Sequence, residues 1–351
     1  MDIGDDPEFF RDAGDGGDDD VSSPSPPQPP SGTSQSGGRK RPHAAPEPSP
    51  APLTKRSKTK LKEPKFRDGF VIVPGVKSKA GNYESFVEAL LLRGMAEYSV
   101  RILTRDAFPQ TVQFQWAQEC FGNASLAAGQ PRYLFTDRMA KLTMKRGSHI
   151  RGKVMESFRP LFESHFGFQR GNSKTIIAAN KANYAALTHK ASFGYKDTKA
   201  RIGYDENLIL AAARKHAIFK DKKSLAAIFR SYFDPLPAAY VALEFTALQH
   251  LTEEFSTGTY INASFQEKDV VQSYRTHLAD IEKWMSCNPV VTEKLRRKWF
   301  KRAARNFGTA EPAADTHIDE KDEDALRKEL EGRTGDTDSE NEGDAEDDAP
   351  E

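Results

Sequence analysis

The sequence contains little cysteine, and the cysteine it has is dispersed. Its 351 residues include two cysteines, Cys120 and Cys287, which form no Cys-x-x-Cys pair. Two thiols are too few for the disulfide framework that stabilises small secreted domains. Their separation also excludes a zinc site built on cysteine pairs. We therefore expect two reduced, buried thiols.

Long apolar runs and a signal peptide are missing as well. The longest apolar stretches, such as residues 238–243, are far shorter than the roughly 20 residues of a membrane-spanning helix. The first 20 residues carry nine acidic residues and one basic residue, whereas a secretory signal opens with a basic segment and continues with an apolar one. The sequence therefore predicts an intracellular protein, nuclear or cytoplasmic, without a membrane partner.

Charges of each sign occupy separate regions, although the whole chain has no net charge. Residues 1–20 have a net charge of −8, residues 39–67 of +8, residues 68–310 of +14 and residues 311–351 of −14. A positive middle indicates an anionic partner for that region. The same pattern would allow the negative ends to fold back on the middle.

The composition predicts three regions. Residues 1–80 are acidic, then rich in Pro and Ser, then basic, and they hold too few apolar side chains to offset the entropy of ordering. Within them the β-branched run Val71–Val73 is either a docking strand or has no role. Residues 81–308 have helical periodicity, and residues 309–351 form an acidic tail. We therefore predict an all-α fold: a single irregular multi-helix domain flanked by disordered N- and C-terminal tails.

Apolar residues in the middle region recur at steps of three and four, which is typical of amphipathic helices. No alternating strand pairs and no internal repeat are evident. The expected helices are about 87–102, Pro109 to about Phe121, about 137–166 with a kink or break at Pro160, Ile176–Leu187, Leu208–Phe219 capped by Asp205, Ser224–Phe233, Ala238–Phe255, about 270–285, and Pro289–Asn306 capped by Asn288.

Dispersed positions between residues 148 and 307 carry a family resemblance. These positions are Arg151 after Ser148-His149, Ile218-Phe219, Phe229, Phe233 to Pro237, Leu243, Leu251, Glu254, Thr257-Gly258, Phe265, Tyr274, His277-Leu278 and Trp284. With them the chain resembles a fungal domain family of unknown function that is abundant in mushroom-forming species. The resemblance implies a helical domain with disordered flanks, and it implies no established activity.

Two basic clusters in the N-terminal region have the arrangement of a bipartite nuclear import signal. The first is Arg39, Lys40 and Arg41, and the second is Lys55, Arg56, Lys58 and Lys60, with thirteen residues between Arg41 and Lys55. Import receptors bind such clusters in an extended, accessible chain. Phosphorylation of Ser49, between the clusters, or of Ser339, in the acidic tail, would add negative charge. The sequence therefore favours a nuclear location and an import receptor as a partner, against a generic basic linker.

Two predicted helices each carry a basic face. The candidate anion-binding residues are Arg138, Lys141, Lys145 and Lys153 on the first helix, and Lys294, Arg297, Lys298, Lys301 and Arg305 on the second. Such faces can neutralise several phosphates. The alternative is that they are solvated helix faces, with cations favoured near a helix C-terminus.

The sequence presents no recognisable catalytic, metal or cofactor site. Gly167 and Gly171 resemble a phosphate loop, but their spacing is one residue short and no apolar strand precedes them. His250 lacks the second histidine of a zinc helix. We expect Asp234 to be a cap or turn residue and Glu254 to be solvated near a helix end. No cofactor is therefore predicted.

Three function hypotheses remain at this point. The first is a non-enzymatic nuclear module that contacts nucleic acid or chromatin through its basic helix faces. The second is a protein–protein adaptor for acidic partners. The third is an enzyme whose catalytic residues meet only in the fold. The sequence predicts no oligomeric state.

Overall fold

A computed structural model of the chain describes residues 61–73, 78–129 and 132–306. The fold is all-α, as the periodicity predicts, with one two-stranded antiparallel sheet in the described ranges. The helices are α1 (Ser85–Thr104), α2 (Gln113–Ala127), α3 (Asp137–Phe166), α4 (Lys174–Thr188), α5 (Leu208–Ala217), α6 (Leu225–Ile228), α7 (Arg230–Phe233), α8 (Ala238–Glu253), α9 (Glu267–Cys287) and α10 (Pro289–Ala303). The strands are β1 (Tyr195–Asp197) and β2 (Ile202–Tyr204), paired Tyr195 to Tyr204 and Asp197 to Ile202.

The chain divides into two compact units. Among the described residues, unit 1 comprises those up to Glu156 together with Ser264–Arg275, and unit 2 comprises Ser157–Ala263 together with those from Thr276 to Asn306. Two of the boundaries fall inside helices, namely α3 and α9. Each unit is described separately below.

Unit 1 is built on α1, whose apolar side chains are buried along almost its whole length. Its core includes Val87, Leu91, Met95 and Phe121. Helix α2 lies so close to α1 that a Cβ at Gly94 would stand 3.1 Å from the Cα of Phe121. Only glycine allows that approach without a shift of the backbone.

Residues 61–67, which we name the docked arm, bind to unit 1 through their backbone. The Lys62 N–H donates to the Arg132 carbonyl, and the Lys62 carbonyl accepts from the Leu134 N–H, both at 2.8 Å. Phe66 packs on Tyr83, with ring centroids 4.8 Å apart. The docked arm is therefore held by paired backbone groups and one aromatic contact, within the region over which the sequence predicts disorder. The run Val71–Val73 is exposed and provides none of this docking.

Unit 2 is built around α8, which is buried on nearly all sides, as predicted. Phe245 of α8 contacts the rings of Phe193, Tyr204 and His277. A Cβ at Gly194 would lie 2.3 Å from the Phe245 ring, so glycine is required at that position. The centre of unit 2 is thus an aromatic cluster organised by α8.

Several predicted helix boundaries are corrected by the structure. Helix α2 begins at Gln113 rather than Pro109, because Pro109 belongs to a loop held by buried polar contacts. Helix α3 ends at Phe166 as predicted and is not split at Pro160. Burial of Phe158 and Phe162 on either side of that proline offsets the lost hydrogen bond. The segment Ser224–Phe233 forms two short helices instead of one.

Asn207, rather than Asp205, caps α5. The Asn207 side-chain oxygen accepts from the Ile209 N–H at 3.2 Å.

The β1–β2 hairpin also contradicts the expectation of no strand pair, since its strands of three residues are too short to show alternation. Cys120 is buried as expected, but Cys287 is exposed.

Candidate functional site

The basic face of α3 lies in unit 1, and its four side chains differ in how exposed they are. Lys141 and Lys145 are exposed, whereas Arg138 and Lys153 are half-buried. The Arg138 guanidinium stacks over Phe66 of the docked arm, 5.5 Å from the ring centroid. Arg138 is therefore partly engaged in cation–π packing, and Lys141 and Lys145 are the accessible cations of this face.

Lys153 lines a small, open depression between α1 and α3. The other lining residues are Met95, Ala96, Ser99, Arg146, His149 and Ile150. Burial lowers the pKa of Arg146 from its ordinary value. The depression has an apolar floor and a basic rim, but it lacks the depth of a typical small-molecule cleft.

The basic face of α10 lies in unit 2. Lys294, Lys298, Lys301 and Arg305 are exposed and make no ion pair with another described residue. Arg297 is different, because its guanidinium donates to the Glu293 carboxylate at 2.8 Å. Trp299, on the opposite face of α10, is buried and holds the helix against unit 2.

The structure thus brings the predicted cations together as two faces on two separate units. The import cluster Arg39, Lys40, Arg41, Lys55, Arg56, Lys58 and Lys60 lies outside the described residues, as do Ser49 and Ser339. The import signal and the two phosphorylation sites therefore remain predictions from the sequence.

Sequence reasoning missed a third basic element, the β1–β2 hairpin. Lys196, Lys199 and Arg201 are exposed on it. The signal that could have found it is the density of lysine and arginine just before Gly203, which lies within β2 with a positive φ (76°). The sequence analysis predicts no helix or strand between Leu187 and Leu208, so these residues fall in a connecting segment.

A loop between α1 and α2 is held by buried and half-buried polar side chains of unit 1. The Ala107 carbonyl accepts from Arg151 Nη1 at 2.8 Å, and the Ala107 N–H donates to the Tyr274 hydroxyl at 2.9 Å. The Arg275 guanidinium donates to both oxygens of Asp106 at 2.9 Å. These contacts satisfy the backbone of a buried turn, so the role of the side chains is to position it.

Arg151 is also neutralised locally. Its Nη2 donates to the Glu267 carboxylate at 2.9 Å, and its guanidinium stacks 4.5 Å from the Phe108 ring centroid. Burial is the main effect on Arg151 and lowers its pKa, while the charge of Glu267 opposes that change. Since Nη1 and Nη2 of Arg151 both donate to groups within unit 1, it is a structural residue.

In unit 2 three charged side chains are fully buried together. Arg214 donates to the Asp205 carboxylate at 2.7 Å and to the Glu244 carboxylate at 2.6 Å, and each side chain is at most 3% exposed. Burial raises the pKa of Asp205 to about 6 and that of Glu244 to about 7, against the opposing charge of Arg214. Burial alone would lower the pKa of Arg214, but the two carboxylates raise it above its ordinary value. Because the carboxyl groups of Asp205 and Glu244 share one guanidinium, these two acids together tend to retain one proton.

Two other residues of the resemblance are also buried and bonded. Glu254, expected to be solvated, is 3% exposed and accepts from Arg159 at 2.8 and 3.1 Å. The reason is that the chain after α8 folds back, so that Glu254 also accepts from the Ala263 N–H at 3.2 Å. His277 Nε2 lies 2.7 Å from the Gln249 side-chain oxygen, and burial lowers the pKa of His277 to about 4.

Asp234 lies at the end of α7, in agreement with a cap or turn role. Its carboxylate is 3.5 Å from Arg297. His250 Nε2 lies 3.1 Å from the Ala263 carbonyl oxygen, within hydrogen-bond distance.

Within the described ranges, no group of three His, Cys, Asp or Glu side chains is arranged to hold a metal ion. None of the described helices combines the length and hydropathy of a bilayer span.

A protein-family model described as a domain of unknown function, DUF6532, matches residues 93–284. The chain belongs to this family. The match confirms the family resemblance over more than half of the chain, although it begins before residue 148 and ends before residue 307. The DUF6532 region includes the basic face of α3 and the β1–β2 hairpin, and it ends before α10. No curated protein and no solved structure matches the chain.

Proposed function

We propose that this DUF6532 protein is a non-enzymatic nuclear binding module that contacts the phosphates of nucleic acid or chromatin through basic helix faces. The observation that carries the proposal is the α10 face, where Lys294, Lys298, Lys301 and Arg305 are exposed without an ion pair among the described residues. Cations that no acid neutralises are available to displace the counterions condensed on a nucleic acid.

Two further observations support a binding module. The polar residues of the resemblance, such as Arg151, Glu254 and His277, have their hydrogen-bonding groups engaged inside the fold. The depression lined by Lys153 is shallow and open. A binding role therefore accounts for more of the exposed chemistry than a catalytic one.

A nuclear location is part of the proposal and is supported by the paired basic clusters. Replacing Lys55, Arg56, Lys58 and Lys60 with alanine should move a fluorescent fusion from nucleus to cytosol, because import receptors bind those side chains in an extended chain. A fusion that stays nuclear would remove the import signal from the proposal. The fungal source indicated by the resemblance is also proposed here.

Binding is tested with four exposed cations changed at once. Lys294, Lys298, Lys301 and Arg305 are each replaced by Gln in the full chain, and binding to several unrelated duplexes is measured against salt. The salt slope should fall by about 3 to 4, since each lost phosphate contact removes about 0.9 from it. The loss of affinity should be similar for all sequences, because phosphates carry no sequence information.

A matched variant controls for net charge. It replaces four other exposed lysines of unit 2, Lys174, Lys181, Lys222 and Lys283, with Gln. Equal losses in the two variants would show that the α10 face has no special role. If the unaltered chain binds no nucleic acid at low salt, the proposal is wrong and the adaptor for acidic proteins takes its place.

A further inference from the structure

The β1–β2 hairpin presents three cations that the fold does not use. Lys196, Lys199 and Arg201 are exposed and make no ion pair with any residue the structure describes. The one acid of the hairpin, Asp197, is occupied by the turn, because its carboxylate accepts from the N–H groups of Lys199 and Ala200 at 3.0 and 2.9 Å. The exposed part of the hairpin therefore carries three cations and one carboxylate, a net charge of +2.

The base of the hairpin is firmly held in unit 2. Asp205, directly after β2, belongs to the buried cluster with Arg214. On the β1 side, the Asn207 side chain donates to the Tyr195 carbonyl at 2.9 Å. Arg201 has φ of 53°, in the left-handed region that non-glycine residues seldom adopt. An ordered base with an exposed tip is the arrangement of a recognition element rather than of a passive linker.

The hairpin and α10 belong to one packed body. The Tyr204 ring lies 5.3 Å from Trp284, and Trp284 stacks on Trp299 of α10 at 5.7 Å. Three aromatic rings therefore connect the base of the hairpin to the helix that carries the second basic face of unit 2.

We propose that the β1–β2 hairpin enters the major groove of double-stranded DNA. This inference rests on the proposed function and specifies its partner. Strands of three residues rise about 10 Å, at about 3.4 Å per residue. The major groove of B-form DNA is about 8.5 Å deep and 12 Å wide, and it admits a two-stranded ribbon. The hairpin thus matches the groove in both length and charge.

The same geometry selects DNA over double-stranded RNA. The major groove of A-form RNA is deep and too narrow for side chains to enter. Ile202, which is 68% exposed on β2, supplies an apolar group of the kind that contacts the methyl group of thymine. Lys196, Lys199 and Arg201 supply the phosphate contacts at the groove edges.

The test removes the hairpin charges without disturbing the turn. The full chain carries Lys196→Gln, Lys199→Gln and Arg201→Gly, since glycine adopts the left-handed conformation without strain. The matched control carries Lys174→Gln, Lys181→Gln and Lys283→Gln, which remove the same charge from exposed sites of unit 2. Binding to a labelled 20-base-pair DNA duplex, and to the RNA duplex of the same sequence, is measured between 25 and 200 mM NaCl, with thermal unfolding as a check on folding.

The unaltered chain should bind the DNA duplex more tightly than the RNA duplex. The hairpin variant should bind DNA more weakly, with a salt slope lower by about 2 to 3, while the control keeps the original slope. Equal DNA binding by the two variants would overturn the hairpin inference and leave the proposed function standing. RNA binding as tight as DNA binding, or equally tight binding of poly-glutamate, would overturn it too. Failure of the unaltered chain to bind any nucleic acid would remove the proposed function itself.

Discussion

His277 is a titratable side chain that the fold keeps neutral. It packs against the rings of Phe193 and Phe245, and its pKa is lowered to about 4 by burial, against the opposing charge of Asp280. An unfolded histidine titrates near 6.5. Between pH 6.5 and 4 the unfolded chain therefore binds more protons than the folded chain, and the free energy of unfolding falls as the pH is lowered.

Replacing His277 with Gln should remove that acid sensitivity. The side-chain amide can still donate to Gln249 but cannot titrate. The pH-dependent loss of stability between pH 6.5 and 4 should shrink by roughly 3 kcal/mol, which is the free-energy equivalent of the pKa difference. Urea unfolding at pH 7, 5.5 and 4 measures it. An unchanged loss in the variant would show that His277 is not the titrating group.

The buried cluster of Asp205, Arg214 and Glu244 should have the opposite pH dependence. Burial raises the carboxyl pKa values to about 6 and 7, above the ordinary values near 4. The folded state holds the extra proton, so its contribution to stability is present below pH 4 and is lost as the pH rises through about 7. Glu244→Gln should therefore be less costly at pH 8 than at pH 5, by on the order of 1 kcal/mol or more.

Glu253 offers the matched control for this prediction. It lies on the same helix as Glu244 and is exposed, so Glu253→Gln removes a carboxylate from α8 without touching the buried cluster. Chemical denaturation of both variants at the two pH values decides the matter. A Glu244→Gln cost that grows with pH would contradict the proton-sharing account.

At the scale of elements, local signals predicted most helices and long-range contacts decided the exceptions. Asn288 and Pro289 begin α10 as their types predict, since the Asn288 side chain accepts from the Val291 N–H. Asp205 resembles a cap in sequence, but its carboxylate binds Arg214, which in turn binds Glu244 on α8, thirty residues further along. Neither periodicity nor capping rules contain that contact, but the capping rules do allow Asn207, which directly precedes Leu208 and is a favoured N-cap type.

In the candidate site, too, local sequence predicted some features and long-range contacts decided the others. Lysines at helical spacing on α10 predict a basic face, and Lys294 and Lys298 are exposed in the structure. The hairpin was missed because its strands carry no apolar alternation, and its position depends on a buried ion pair at Asp205. The spacing of charges along a helix can be read from the sequence, whereas tertiary contacts determine whether two strands of three residues each will pair.

The loop between α1 and α2 is expected to depend on one hydroxyl. Tyr274→Phe removes the acceptor for the Ala107 N–H and leaves a buried donor unsatisfied. The free energy of unfolding should fall by about 1 to 3 kcal/mol. Tyr232→Phe, at an exposed tyrosine, is the control and should change it by less than about 0.5 kcal/mol. Equal effects of the two changes would mean that the hydroxyl does not position the loop.

At the scale of the whole molecule, the docked arm extends the protected part of the chain. Trypsin should cleave after Lys55, Lys58 and Lys60 but not after Lys65, because the Lys65 carbonyl accepts from the Glu84 N–H and ordered backbone resists proteolysis. Mass spectrometry should find a stable fragment from about residue 61 to about residue 306. Phe66→Ala should restore cleavage at Lys65. Rapid cleavage there in the unaltered chain would show that the arm is not docked.

The acidic C-terminal region should compete with nucleic acid for the basic faces. Residues 311–351 have a net charge of −14 and begin five residues after Asn306, so their effective concentration at α10 is high. Removing them should strengthen DNA binding, and the gain should shrink as salt screens charges over about 10 Å at 0.1 M. A full-length tail with its acids changed to amides should behave like the deletion. If that tail weakens binding as the natural one does, charge is not the cause.

The discontinuous sequence of unit 1 has a consequence during synthesis of the protein. The Ala107 N–H finds its acceptor on Tyr274, 167 residues later in the chain. At 5 to 20 residues per second, the ribosome takes roughly 8 to 33 s to make the intervening chain. Over that interval Arg151 has emerged without Glu267, and the turn after α1 lacks its acceptor. Unit 1 therefore completes its buried hydrogen bonds only after Tyr274 has been synthesised, and until then the nascent chain exposes polar groups that the folded unit buries.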